Sequence, residues 1–223
     1  MMSSTYHGRA RSLLLSLLVA ASLAGGCSGA GLSLRPPTAG AQLDYEDTLD
    51  RWTRGQRLYR SFETLAVVNA TYFSEEFLAA YMAEYRHVFN PLPAELEALS
   101  GKLRSRQERR ECFFVSAFTG ERDWNDFALA NSTWKIYLRN DRGGRARSAQ
   151  VTQVDKTDPM YRHFFPHFKD FYQGYLVCFD RVLPQEPGDA GLPSLLLDPA
   201  VRLFRLELRS TIGHVALEWE LDN

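Results

Sequence analysis

The sequence predicts a mixed, mainly β fold: an antiparallel β-sandwich-like domain with a helical insertion around residues 74–110. Three patterns carry this. At the C-terminus, Phe204, Leu206 and Leu208 alternate with Arg205, Glu207 and Arg209. After Ser210-Thr211-Ile212-Gly213, Val215, Leu217, Trp219 and Leu221 alternate with Ala216, Glu218 and Glu220. A period of two on both sides of a short turn is the mark of an antiparallel hairpin with one buried face. The second pattern is a set of apolar strand-like runs without regular intervening helices, which argues against a parallel doubly wound sheet. The third is a local change of period to 3.6 in the middle of the chain.

Taken in order, Asp44 to Arg54 is acidic and suits a short helix. Leu58 to Phe73 is rich in β-branched and aromatic residues and reads as one long strand, with Phe62, Thr64, Ala66, Val68, Ala70 and Tyr72 sharing a face. Ser74 then caps a helix, with Glu75 and Glu76 in the first turn where the helix dipole favours acids. Phe77, Leu78, Tyr81, Met82, Tyr85, Val88 and Phe89 form its apolar face, and Asn90-Pro91-Leu92-Pro93 stops it. A more polar helix spans about 94–110, with Leu96, Leu99 and Leu103 inward. Strands are expected at Cys112–Phe118, Trp134–Arg139, Ala149–Val154 and Tyr175–Arg181, with a turn at Asn140–Gly144.

The N-terminus has a different composition. Arg9 and Arg11 precede an apolar run, Ser12 to Ala24, and no acid appears before Asp44. The run is about 13 residues, too short for the roughly 20 of a spanning helix, so residues 1–26 read as a secretory leader. It ends Leu23-Ala24-Gly25-Gly26-Cys27. This resembles the lipobox of bacterial lipoproteins, although Leu23 lies four places before the cysteine where three is commonest. The resemblance covers the first 30 residues or so and implies that Cys27 is lipidated and becomes the first residue of the mature chain. Ser28 in the next position implies sorting to the outer membrane. Residues 27–42, rich in Gly, Pro and small side chains, read as a tether. Residues 43–223 then form a single globular domain, long enough to bury a proper core.

Losing Arg9 and Arg11 with the leader takes the net charge from −1 to −3. That balance gives no support for nucleic-acid binding. Only Lys102, Lys135, Lys156 and Lys169 are lysines among 26 basic residues. Cys112 and Cys178 remain in the mature domain. They read either as two buried thiols or as a disulfide closing a loop of about 66 residues, worth about 4 kcal/mol in the chain-entropy model. Together with Trp134 they invite comparison with immunoglobulin domains, but Tyr175 stands three places before the second cysteine, not two.

No catalytic motif is present. There is no G-x-S-x-G elbow, P-loop or G-x-G-x-x-G. Glu121, Asp123 and Asp126 lack the spacing of a calcium loop and read as a solvated turn. His163 and His167 are four apart and are weak metal candidates, since Pro166 interrupts the helix that would align them. Met160 to Tyr175 is dense in aromatics, and Tyr161, Phe164, Phe165, Phe168, Phe171 and Tyr172 are a possible binding surface or the packing beneath a long connection. The expectation is a non-enzymatic, cofactor-free envelope protein, held to the membrane by its lipid and binding another envelope protein. The alternatives are a carrier or chaperone for an apolar ligand in an aromatic-lined cavity, and a small metal-dependent enzyme.

Overall fold

The computed structural model describes residues 44–183 and 194–221. The leader, Cys27 and the tether lie outside the described residues. Fourteen elements follow in chain order: α1 (Tyr45–Trp52), β1 (Thr53–Arg60), β2 (Glu63–Tyr72), α2 (Glu75–Phe89), α3 (Pro93–Gln107), β3 (Arg110–Thr119), a 3₁₀ turn (Arg122–Trp124), β4 (Lys135–Asn140), β5 (Arg145–Arg147), β6 (Gln150–Gln153), α4 (Pro159–Phe164), β7 (Gln173–Asp180), β8 (Leu203–Arg209) and β9 (His214–Glu220). Among the described residues no helix is long and apolar enough to cross a membrane.

The strands form two antiparallel sheets, ordered β1-β2-β3-β7-β6 and β5-β4-β8-β9. The alternating residues identified in the sequence face each other across the gap. Ala66, Val68 and Tyr72 from β2, with Phe113 and Val115 from β3, meet Phe204, Leu206 and Trp219 from the second sheet. At the centre Phe204 stacks on Trp219 at 5.3 Å between ring centroids, with Phe113 at 5.4 Å from Trp219 and Tyr72 at 4.9 Å from Phe204. Offset and tilted aromatic pairs of this kind add about 0.5–1.5 kcal/mol each to simple area burial. The domain is therefore a β-sandwich, and the helical insertion α2–α3 leaves it between β2 and β3.

The first sheet is covered on its other face as well. Phe114 of β3 points away from the sandwich into a second cluster with Leu49, Phe77, Phe164, Phe165 and Phe168, drawn from the helices and the segment after α4. Seven consecutive residues of β3, Glu111 to Ala117, are buried for this reason. A strand with both faces covered loses the polar alternation and reads as a continuous apolar run.

Cys112 and Cys178 stand directly opposite each other on β3 and β7 and are joined. Cys112 gives its carbonyl to Phe73 N, and Cys178 gives its carbonyl to Ala149 N, so both backbones point outward from the pair. That makes them a non-hydrogen-bonded pair, the position where antiparallel strands come closest; their Cα atoms are 4.2 Å apart. The bridge lies within one sheet. The immunoglobulin arrangement, in which it would join two sheets, is absent.

The expected strand Leu58–Phe73 is instead a hairpin. Ser61 takes φ 54° and the chain reverses there, which puts Phe62 fully in solvent at the tip. Arg60-Ser61-Phe62-Glu63 has none of the Gly, Pro or Asn signals that mark such turns, so the sequence pattern runs straight through it. β1 then closes the open edge of the second sheet. Gln56 Oε1 accepts from Ala216 N at 2.8 Å and Arg54 Nε donates to the Glu218 carbonyl at 2.9 Å, so side chains satisfy part of the free edge of β9.

The disulfide cross-links a loop of 66 residues. Replacing both cysteines by serine is expected to lower the unfolding free energy by about 4 kcal/mol. Urea titration of the purified domain reads this; a loss under about 1 kcal/mol would mean that the loop-closure argument does not apply here.

Candidate functional site

The helical insertion is docked unevenly. α2 is anchored by Phe77 and Ala80, which are buried, and its Ser74 cap accepts from Phe77 N at 3.0 Å. α3 buries no side chain at all. Its apolar residues Leu96, Leu99 and Leu103 are only partly covered, so α3 roofs the sheet without filling the space beneath it. The result is a cleft of about 170 Å³ between α2, α3, α4 and the outer face of the first sheet.

The floor is aromatic. Phe114 lies between Phe165 at 4.0 Å and Tyr161 at 5.6 Å, both nearly parallel to it. Leu78 and Tyr81 of α2 make one wall, and Leu99 and Leu103 of α3 the other. Lys102 and Arg106 stand on the α3 side. Burial pushes the Tyr81 phenol up to about 12, and the Tyr161 phenol is raised for the same reason. Both stay neutral at physiological pH, which leaves Lys102 and Arg106 as the charges lining the cleft. An apolar slot of this size takes about one aromatic ring, since a cavity of roughly 150 Å³ holds a benzene. It is well below the roughly 300–1,000 Å³ of sites that engulf a drug-sized ligand.

The aromatic segment proves mostly interior. Phe164, Phe165 and Phe168 are buried in the helix-side cluster, Tyr161 and Tyr172 are half-buried, and Phe171 is 84% exposed. Only Tyr161 and Phe165 of that group line the cleft. Gly174 makes room for the segment: a Cβ there would lie 2.6 Å from Val154 Cγ2 and 3.0 Å from Phe168 Cζ. Two larger depressions, beside Trp134 and Arg147 and beside Arg122 and Phe171, are lined mainly by polar atoms, unlike the cleft under α3.

The two histidines do not converge. α4 ends at Phe164, as Pro166 requires, so His163 sits in its last turn and His167 beyond it. His163 meets Glu84 at 3.2 Å on the surface. His167 turns inward, with Nδ1 2.7 Å from Ser116 Oγ and Nε2 2.9 Å from Thr71 Oγ1. Ser116 Oγ also donates to the His167 carbonyl at 3.1 Å. These contacts fit a neutral ring that donates from Nδ1 and accepts at Nε2. Burial holds its pKa down at about 4. The pair has the residue types of a nucleophile and base, but Ser116 is fully buried and no carboxylate orients the ring. It pins the segment after α4 to the sheet. Among the described residues no group of three or more His, Cys, Asp or Glu could hold a metal. Asp126, from the acidic loop, accepts from Ser132 Oγ at 2.8 Å and Thr133 N at 3.0 Å and so ties its own loop.

Two acids have little solvent exposure. Glu111 accepts from the Tyr72 hydroxyl at 2.8 Å and lies 3.0 Å from Arg181 Nε. Burial raises its pKa, against the pull of those two partners. On the outer face of the second sheet, burial works to raise Glu207, but Arg209 and Arg139 outweigh it and hold the carboxyl below its usual range. Both are internal pairings on the sandwich and its far side, not part of the cleft. Comparison with known protein families, characterised proteins and solved structures finds no match.

His167 makes stability depend on pH. Its folded pKa of about 4 lies below the ordinary 6.5, so the unfolded chain takes the proton first as pH falls. The stabilisation is full above pH 6.5, and up to about 3 kcal/mol of it is lost between there and pH 4. Denaturant titrations of the parent and of His167→Gln at several pH values isolate it. The difference between them should shrink across that window; a constant difference would remove the neutral-ring assignment.

Proposed function

We propose that this chain is a lipid-anchored bacterial envelope protein that works by binding and carries out no chemistry of its own. The anchor is the lipid expected on Cys27. The partner is another envelope protein, and it engages the cleft under α3.

The cleft's size and lining carry this reading. A slot for about one ring, walled by Leu78, Tyr81, Leu99 and Leu103 and flanked by Lys102 and Arg106, suits a bulky apolar side chain next to a carboxylate. That is how protein interfaces concentrate their affinity: one anchor residue in a desolvated pocket, with charges at the rim. A carrier that enclosed a whole acyl chain would need a larger chamber. Ser116 is buried against His167, and His163 faces Glu84 on the surface instead of joining it, which supports a reading based on binding. The outer membrane as location rests on the lipobox resemblance and on Ser28.

The test is a crosslinked pull-down of the tagged full-length protein from solubilised membranes. Leu103→Trp fills the cleft, and Lys102→Glu with Arg106→Glu reverses its charge at solvent-facing positions. Each is expected to reduce recovery of a stoichiometric partner about tenfold, the effect of losing about 1.4 kcal/mol. Cys27→Ala should release the protein from membranes and lose the partner as well. Undiminished recovery with both cleft variants would move the interface elsewhere on the domain.

A further inference from the structure

The turn between α2 and α3 exposes a contiguous apolar patch. Val88 is 41% exposed, Phe89 47% and Leu92 66%, with Pro91 between them. Scattered apolar side chains on a surface need no explanation, but a cluster on one protruding turn does. We propose that this helical tip sits in the headgroup layer of the bilayer that holds the chain's own lipid. The proposal rests on the lipidation of Cys27 advanced above.

The place where the chain enters the domain points to a bilayer as the occupant. Tyr45 opens α1, and its hydroxyl donates to the Phe164 carbonyl at 2.5 Å. Its ring lies 5.8 Å from that of Phe164, and Phe89 lies 6.3 Å from the same ring. The entry point and the exposed tip thus share one neighbour. Sixteen residues separate Cys27 from Asp44. At roughly 3.3–3.6 Å per residue that length of chain spans at most about 58 Å. The chain that would carry the lipid joins the domain beside Phe164, the residue that Phe89 also meets.

The turn is also prepared for an apolar setting. Asn90 N donates to the Arg86 carbonyl at 3.0 Å, and Leu92 N donates to Glu95 Oε2 at 2.9 Å. The Leu92 carbonyl accepts from Leu96 N at 3.1 Å. Backbone groups already paired lose little when water is withdrawn. Arg86 and His87 lie in the last turn of α2 and can reach lipid phosphates while their stems stay in the interface. Glu46 and Asp47 in the first turn of α1 work against an anionic surface, so burial of the apolar side chains carries the contact. The patch alone binds weakly; with the anchor it fixes orientation. Tyr81, in the cleft, is eight residues before Phe89, about 12 Å along α2 at 1.5 Å per residue.

The test uses the lipidated mature chain in vesicles of phosphatidylethanolamine and phosphatidylglycerol with brominated acyl chains. Phe89→Trp places a reporter on the tip, and Phe62→Trp places one on the β1–β2 hairpin as a control. Emission from the Phe89→Trp reporter is expected to be blue-shifted and quenched severalfold by the bromines, with the control unaffected. A water-like signal from the tip reporter, on a chain that floats with the vesicles, overturns the proposal and leaves the anchor reading standing. If mass analysis finds no lipid on Cys27, the anchor reading fails, and the same reporter is read with vesicles in millimolar excess. Quenching there still supports a lipid-binding tip, and its absence overturns it. A crosslink from position 89 to a second copy or another protein, without quenching, also overturns it.

Discussion

Everything in the domain depends on β3 having no exposed face. One side of it supplies Phe113, Val115 and Ala117 to the sandwich, and the other supplies Cys112, Phe114 and Ser116 to the layer beneath the helices. A strand buried on both faces must find apolar or hydrogen-bonded partners at every position, since an unpaired polar group there costs about 1–3 kcal/mol. Two polar residues interrupt the apolar run: Glu111 accepts from the Tyr72 hydroxyl and faces Arg181 as an ion pair whose geometry makes no hydrogen bond, and Ser116 has His167. The helices and the segment after α4 are present because the outer face of the first sheet has to be covered.

The same constraint explains what sequence patterns expose and what they hide. The β8–β9 hairpin was plain from its alternation because one of its faces is wet and the other dry. The α2 boundaries were plain because Ser74 and the Asn90-Pro91 pair are local signals. The break at Ser61 was hidden, because Arg60-Ser61-Phe62-Glu63 has no Gly, Pro or Asn and the flanking residues continue a strand pattern. Whether Cys112 and Cys178 join depended on strand register, which no short window contains. Their partnership follows once β3 and β7 are neighbours.

The site was less legible than the fold for a related reason. Aromatic density around residues 161–172 drew attention to that segment, but density alone does not separate core from lining. Phe164 and Phe168 fill space, while Tyr161 and Phe165 border it. The decisive feature is the poor fit of α3, and it has a trace in the sequence: Leu96, Leu99 and Leu103 are its few apolar residues beyond the first turn, set among Glu, Lys and Arg. A helix so sparsely apolar cannot seal a sheet face. The Ser116–His167 pair left no trace, since its members are 51 residues apart and meet only when the segment after α4 folds back over the sheet.

That loose roof is where stability and binding diverge. Helices in proteins are held by the burial of an apolar face more than by their own propensity. α3 buries none of its side chains, so it is held by its connections to α2 and β3 and by partial contacts over the cleft. Its local opening free energy should be among the lowest in the domain, whereas β3, cross-linked and covered on both sides, sets the upper limit. Filling the cleft with larger core residues would stabilise the roof and close the site. In the binding mode proposed above, a partner's side chain in the cleft would supply the packing the sequence leaves out, against a sandwich that holds Phe114 and its neighbours in place.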